Sequence, residues 1–261
     1  MIAKIRKILI EKTAKEVLQN IQFNTLPISP IKIAEKTNIA VRAKPSASHG
    51  VSGMLIKKGD NFGIMYATHI KNKGFQNFSI AHELGHYYLD GHVENILTNG
   101  IHYSDIDSQA NKYEQEANYF ASVLLMPSHL MQDDIRRNDL SWQLASDIAN
   151  KCQTSLEAAA RRIVSLSQEH CALLIQQNNK LWHPIKSNSW SWYLNNPQFP
   201  GQLDYCDYEN LTNDMEECSL SDWDINNILA NEYQCQYSSI HYKDNKIDKI
   251  MTLLLLEEKD D

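Results

Sequence analysis

The run Ser79-Ile80-Ala81-His82-Glu83-Leu84-Gly85-His86-Tyr87-Tyr88 constrains this chain more than any other stretch. Residues four apart on a helix lie one above the other, so a helix here offers His82 and His86 to a single ion from one face. Glu83 stands one step round. From there its carboxylate is poorly placed as a third ligand, but it reaches a metal-activated water and takes its proton as general base. Ile80, Leu84 and Tyr87 make an apolar stripe, and Ala81 and Gly85 are small. The helix is therefore expected to pack closely and shelter its histidine face. The competing reading is a solvated helix with two incidental histidines.

A catalytic zinc usually takes three protein ligands and leaves one position for water. The segment Tyr113-Glu114-Gln115-Glu116-Ala117-Asn118-Tyr119-Phe120-Ala121-Ser122-Val123-Leu124-Leu125-Met126-Pro127 reads as a second helix that could supply the third. Tyr113, Ala117, Phe120, Ala121 and Leu124 recur at helical spacing, and Pro127 stops the run. Glu114 and Glu116 are two apart and cannot share a face, so one is a candidate ligand and the other is solvated. Helical geometry does not choose between them.

Together, FSIAHELGHYYL and YEQEANYFASVLLMP resemble the ImmA/IrrE family of zinc metallo-endopeptidases, which carry the same helix and an E-x-E-A-x-x-F-A-x-x-L-L-M-P block. The likeness extends upstream to Leu26-Pro27-Ile28, Ile33-Ala34-Glu35-Lys36 and Gly50-Val51-Ser52-Gly53-Met54, roughly residues 1 to 165. It implies a zincin-like fold and one zinc ion held by His82, His86 and a glutamate, with Glu83 as catalytic base. In gluzincin-like proteases the glutamate ligand precedes an Asp or Asn by four residues. Glu114 with Asn118 fits that frame, so the resemblance favours Glu114 over Glu116. It gives Asn118 the role of hydrogen-bonding a ligand histidine. It also implies a protein substrate, commonly a DNA-binding repressor or antitoxin whose cleavage derepresses an operon. The chain departs from the family before the zinc helix. Phe75-Gln76-Asn77 stands where an arginine-containing stretch is usual, and Ser79 replaces a threonine. That departure bears on substrate contacts, not on the metal.

Composition narrows the partners. A chain of 261 residues, 43% of them hydrophobic, can bury an ordinary core, and its net charge of -7 argues against a general polyanion binder. Direct nucleic-acid binding is thus not expected. The first 19 residues interleave Ile2, Ile5 and Leu9 with Lys4, Arg6, Lys7, Glu11 and Lys12, which breaks up any signal-peptide core. The run from Met251 to Leu256 is too short to span a bilayer. Five widely spaced cysteines without a CxxC pair fit reduced thiols and a cytoplasmic location.

Residues 3 to 21 predict an amphipathic helix with Ile5, Leu9, Ala14, Val17, Leu18 and Ile21 on its apolar face. A second helix starts at Pro30, and Ser52 to Ala67 reads as a hairpin around a Gly59-Asp60 turn. By resemblance, one hairpin strand is the candidate edge that binds substrate as an added strand. Asp90 to Ala110 reads as a polar loop. Its His102 and Tyr103 are reachable candidates for stabilising an oxyanion, although neither sits in a motif and ordinary loop residues are the simpler reading.

Helices on either side of Cys152-Gln153-Thr154 resemble a helix-turn-helix with Arg161 and Arg162 as its paired positives. Asp147, Glu157 and the acidic chain favour a packing role over DNA. The last third is strand-like, and its Trp182, Trp190, Trp192 and Trp223 read better as core than as a binding face.

The expected class is α+β. A zincin-like metallopeptidase domain occupies residues 1–130, a helical, helix-turn-helix-like extension 131–166, and a strand-rich regulatory or partner-recognition module 167–261. The expected function is zinc-dependent endopeptidase. The competing class is a noncatalytic regulator on the same fold that binds a partner protein or DNA. Such a module has no need of Glu83 beside two histidines.

Overall fold

Helix α1 (Lys4–Asn20) forms over a run without helix breakers and buries Ile10, Ala14, Val17 and Leu18, one stripe at helical spacing. Ile5 and Leu9, expected on that stripe, are 74% and 49% exposed. They lie about 140° and 100° round the helix from Ile10. Ser29 caps α2 (Pro30–Lys36) by accepting from the Lys32 N–H, and Pro30 at the first position presets the backbone. The computed structural model describes residues 2–44, 51–69, 71–97, 101–105, 111–178, 180–182, 184–190, 204–206, 209, 211–223, 233–243 and 247–259.

Next come β1 (Ala40–Lys44) and the hairpin of β2 (Val51–Lys58) and β3 (Asn61–Ala67). Their turn places Gly59 at φ 61°, a region glycine enters without steric cost. In α3 (Lys73–Tyr88) the Asn72 side chain caps the start, accepting from the Phe75 N–H at 3.0 Å. A short α4 (His92–Ile96), β4 (Ile101–Asp105) and α5 (Lys112–Leu125) follow, the last capped by Asn111.

The first sheet runs β1-β3-β2-β4, with β1 parallel to β3 and the other pairs antiparallel. This corrects the expectation for the hairpin. Both β2 and β3 already have neighbours on each side, so neither is an edge. The edge beside β2 is β4, which the sequence pattern suggested was loop. Leu55 and Ile64 are fully buried, and α3 packs on β2 and β3. Against the other side of α3 lies α5, which buries Ala117, Phe120, Ala121 and Leu124.

Three helices, α6 (Ser128–Arg137), α7 (Trp142–Cys152) and α8 (Leu156–Leu166), lead onward. The chain forms two compact units. Met1–Leu130 joins Ala149–Ser155 in one, and Met131–Ile148 joins Leu156–Asp261 in the other, so the helices of residues 131–166 are shared between them.

The second unit holds β5 (His170–Gln177), β6 (Lys180–Leu181), β7 (Ile185–Lys186), β8 (Tyr205–Cys206), β9 (Glu216–Cys218), β10 (Tyr233–Lys243) and β11 (Asp248–Glu258). The sheet order is β6-β5-β11-β10-β8, with β7 also on β5 and β9 on β10. Trp190, Trp223, Tyr237, Leu254 and Leu256 pack together in its core. Trp142 is buried as well, and its Nε1–H donates to the Ser238 carbonyl at 3.0 Å. Trp192 lies outside the described residues. On α8, Arg162 is buried and Arg161 is held by Glu157 at 2.9 Å. No described helix is long and apolar enough to cross a membrane.

The contact between α3 and α5 leaves no room at Gly85. A Cβ there would stand 3.1 Å from the Ala117 Cα and 3.2 Å from the Phe120 ring. Gly85→Val should overpack this crossing and cost roughly 1–3 kcal/mol in urea unfolding. Unchanged stability would mean that the two helices are not in contact there.

Candidate metal centre

Ser79 through His86 of α3 is buried on all sides, although the segment carries two histidines and a glutamate. Burial on that scale requires partners for each polar group. For His82, Asn118 supplies one: its Oδ1 accepts from the His82 Nδ1–H at 2.8 Å, which turns Nε2 toward the interior of the site. The Nε2 atoms of His82 and His86 lie 3.0 Å apart. Glu114 completes the group from the first turn of α5, with Oε2 3.2 Å from His82 Nε2 and Oε1 3.1 Å from His86 Nε2.

Two imidazole nitrogens and a carboxylate at these separations suit a small cation. Ligand bonds of about 2.0–2.1 Å in tetrahedral arrangement place neighbouring donor atoms about 3.3–3.4 Å apart. Among the described residues, His82, His86 and Glu114 form a cluster able to hold a metal ion. The local field agrees. Burial opposes a charge on His82, yet the Glu114 hydrogen bond and the Glu83 and Glu114 carboxylates outweigh it and hold its pKa above the ordinary value. Two imidazoles and a carboxylate converge where the side chains are buried, and the carboxylates there favour a cation.

Glu83 is fully buried, with strand β2 against it. A Cβ on Gly53 would fall 2.6 Å from Glu83 Oε1, so the carboxylate occupies space that only glycine leaves open. On α5, Glu116 lies about 200° round the helix from Glu114 and faces elsewhere. It accepts from the Arg6 Nε–H at 2.8 Å and from His92 Nε2 at 3.0 Å. Its partial burial disfavours charge, but Arg6 and His92 prevail and hold its pKa below the usual carboxylate range.

Two of these residues escaped the sequence reading. His92, assigned to a loop, begins α4 and is fully buried, with Nδ1 3.0 Å from His86 Nδ1. Burial pushes its pKa down. Gly91, at φ 79°, makes the turn that brings it back under α3. Its spacing of six after His86 fits no ligand motif. Arg6 stands 110 residues before Glu116 in the chain and left no local signal. The backbone of His102 pairs with Leu55 and that of Tyr103 with Met54, while both side chains lie outside the described residues.

A family model of the IrrE N-terminal-like domain matches residues 34–164. The chain belongs to this family. The match runs from the end of α2 into α8 and so contains α3, α5 and all three residues of the cluster; the IrrE N-terminal-like domain is a zincin-like fold. No curated protein matches the chain. Among solved structures, a Mycobacterium tuberculosis transcriptional regulator is similar in fold, with TM-score 0.60 and 12% identity over 95% of this chain and 87% of that one.

Removing a ligand should cost more than removing a neighbour of a ligand. Glu114→Gln is expected to weaken zinc binding beyond the ten- to hundredfold loss typical of outer partners, and Glu116→Gln to stay within about that range. A competition titration against a chromophoric chelator measures both, and the reverse order would move the third ligand to Glu116. If the cluster takes zinc, the metal at about 100 times its Kd should add roughly 2.7 kcal/mol of stability, lost on chelation, because only the folded chain gathers the three residues.

Proposed function

We propose that this chain is a zinc-dependent endopeptidase acting on a protein substrate. The observation that carries the reading is the convergence of His82, His86 and Glu114 within 3.0–3.2 Å, with Glu83 buried beside them. A zinc ion held by these three residues supplies Lewis acidity toward the attacking water and the scissile carbonyl. Glu83 then does the proton work. It accepts a proton from the water and passes it to the leaving amine, and its dry surroundings strengthen each electrostatic step. Asn118 holds His82 in the tautomer whose Nε2 faces the ion.

Among the described residues β4 pairs with β2 alone, and its other edge suits an extended peptide, whose backbone would pair with it as an added strand. Family resemblance points to a DNA-binding repressor or antitoxin as that peptide's source, so cleavage would derepress an operon. Support for a protein rather than a nucleic acid comes from α8, where Arg162 is buried and Arg161 is engaged by Glu157. Residues 167–261, beyond the family match, serve in this reading as a regulatory or partner-recognition module. A cytoplasmic setting is supported by Cys152, Cys171, Cys218 and Cys235, none of which is in a disulfide.

Glu83→Gln should retain zinc yet lose about 10²- to 10⁴-fold in cleavage rate. As a trap in pull-downs it should hold uncleaved substrate for mass spectrometry. Full biological activity of the zinc-loaded variant would sink the protease reading and favour a binding-only regulator. Gly53→Ala tests the strand contact. Its Cβ would displace a carboxylate 2.6 Å away, and misplacement on the order of 1 Å can cost about 10²-fold in rate. Metal content should not change, and an unchanged rate would show that β2 does not position the Glu83 carboxylate.

A further inference from the structure

The partners of His86 differ from those of His82, and the difference reaches the N-terminal helix. A metal-ligating imidazole ordinarily donates its second N–H to a carboxylate, a carbonyl or water. His82 meets the Asn118 carbonyl oxygen in that way. His86 instead meets another imidazole: its Nδ1 is 3.0 Å from His92 Nδ1, and both rings are fully buried. Where no ion is to sit between them, two imidazole nitrogens at this distance share one proton, so one donates and the other accepts. The far side of His92 decides which. Its Nε2 lies 3.0 Å from Glu116 Oε2, the same oxygen that accepts from Arg6.

A carboxylate held by a guanidinium is acceptor only, so His92 Nε2 carries the proton. A neutral His92 then presents a lone pair at Nδ1, and His86 must donate its Nδ1–H to it. With an ion in the cluster, the His86 Nε2 lone pair is then the one that holds it, which reconciles the close approach of that nitrogen to His82 Nε2 and Glu114 Oε1. Reversing any one proton would set Nε2 against a carboxylate oxygen without a hydrogen, or fill the position on His86 from which it binds an ion.

We infer that His92 is a positioning residue for the metal site, and that Arg6 and Glu116 fix the tautomer through which it holds His86 as a ligand. The inference rests on the proposed metal site and adds to it a chain running from α1 through α5 and α4 to α3. It also explains the second glutamate. Glu116 is not an unused surface carboxylate beside the ligand, since it sets the donor and acceptor order behind His86.

Two measurements on the full chain test it. Long-range ¹H–¹⁵N correlation on histidine-labelled wild-type protein reads ring tautomers without any mutation, and His92 is expected in the Nε2–H form. The Nδ1–H form would overturn the relay. Zinc competition then compares His92→Phe with His92→Asn. Phenylalanine fills the space but accepts nothing, and zinc affinity should fall about ten- to a hundredfold. Asparagine places an amide oxygen near the old Nδ1, and affinity should stay within about threefold of wild type, as expected for a restored outer partner. Equal affinity for His92→Phe and wild type, or equal losses in both variants, would overturn the inference and leave His92 as packing alone. Wild-type protein that binds no zinc would instead remove the metal site, and the relay with it.

Discussion

The close approach of α3 and α5 is the constraint on which the first unit depends. The cluster draws His82 and His86 from one helix and Glu114 from the other, with their side-chain nitrogens and oxygens 3.0–3.2 Å apart, an arrangement that needs the two helices close together. Gly85 meets that need by presenting no side chain to Ala117, which is itself small. Phe120, one turn further along, fills the adjoining volume and is fully buried. The apolar packing is therefore arranged around the polar site. A bulkier residue at either crossing point would push the two helices, and with them the cluster, apart.

Such packing brings four ionisable groups together out of water. Glu83, Glu114, His82 and His86 all lie in a region nearly closed to water, where desolvation weighs heavily on any charge. Each imidazole is instead oriented by a neighbour outside the cluster, Asn118 for His82 and His92 for His86. Orientation before binding reduces the reorganisation that an incoming cation would have to drive. The raised pKa of His82 shows the same preference for positive charge.

The parts legible in the sequence were those with a local period. The four-residue spacing of His82 and His86, the apolar stripe ending at Pro127 and the Gly59-Asp60 turn each depend on neighbours within one or two turns of chain. Family resemblance, not periodicity, separated Glu114 from Glu116. What remained hidden was set by long-range packing. Ile5 and Leu9 look like core residues of α1 by composition, yet the helix turns Ile10, Ala14 and Leu18 inward. Strand β4 is short and polar, so its pairing with β2 leaves almost no apolar alternation to detect. His92 was hidden for a different reason: a histidine acting on another histidine follows no ligand spacing.

The two glutamates show why helix geometry both constrained and misled the reading. Being two apart, Glu114 and Glu116 cannot face one way, and the inference that one must be solvated followed from that alone. The premise holds but the inference does not, because the surroundings of α5 are polar on two sides. Glu114 points at the histidines of α3, while Glu116 meets α1 through Arg6 and α4 through His92. His92 then closes the circuit, with one ring nitrogen near Glu116 and the other near His86. A single helix thus addresses the same site from opposite faces, directly through one carboxylate and indirectly through the other. Four helices share in the arrangement, so the free energy of an ion bound at its centre is distributed over contacts that lie far apart in the chain.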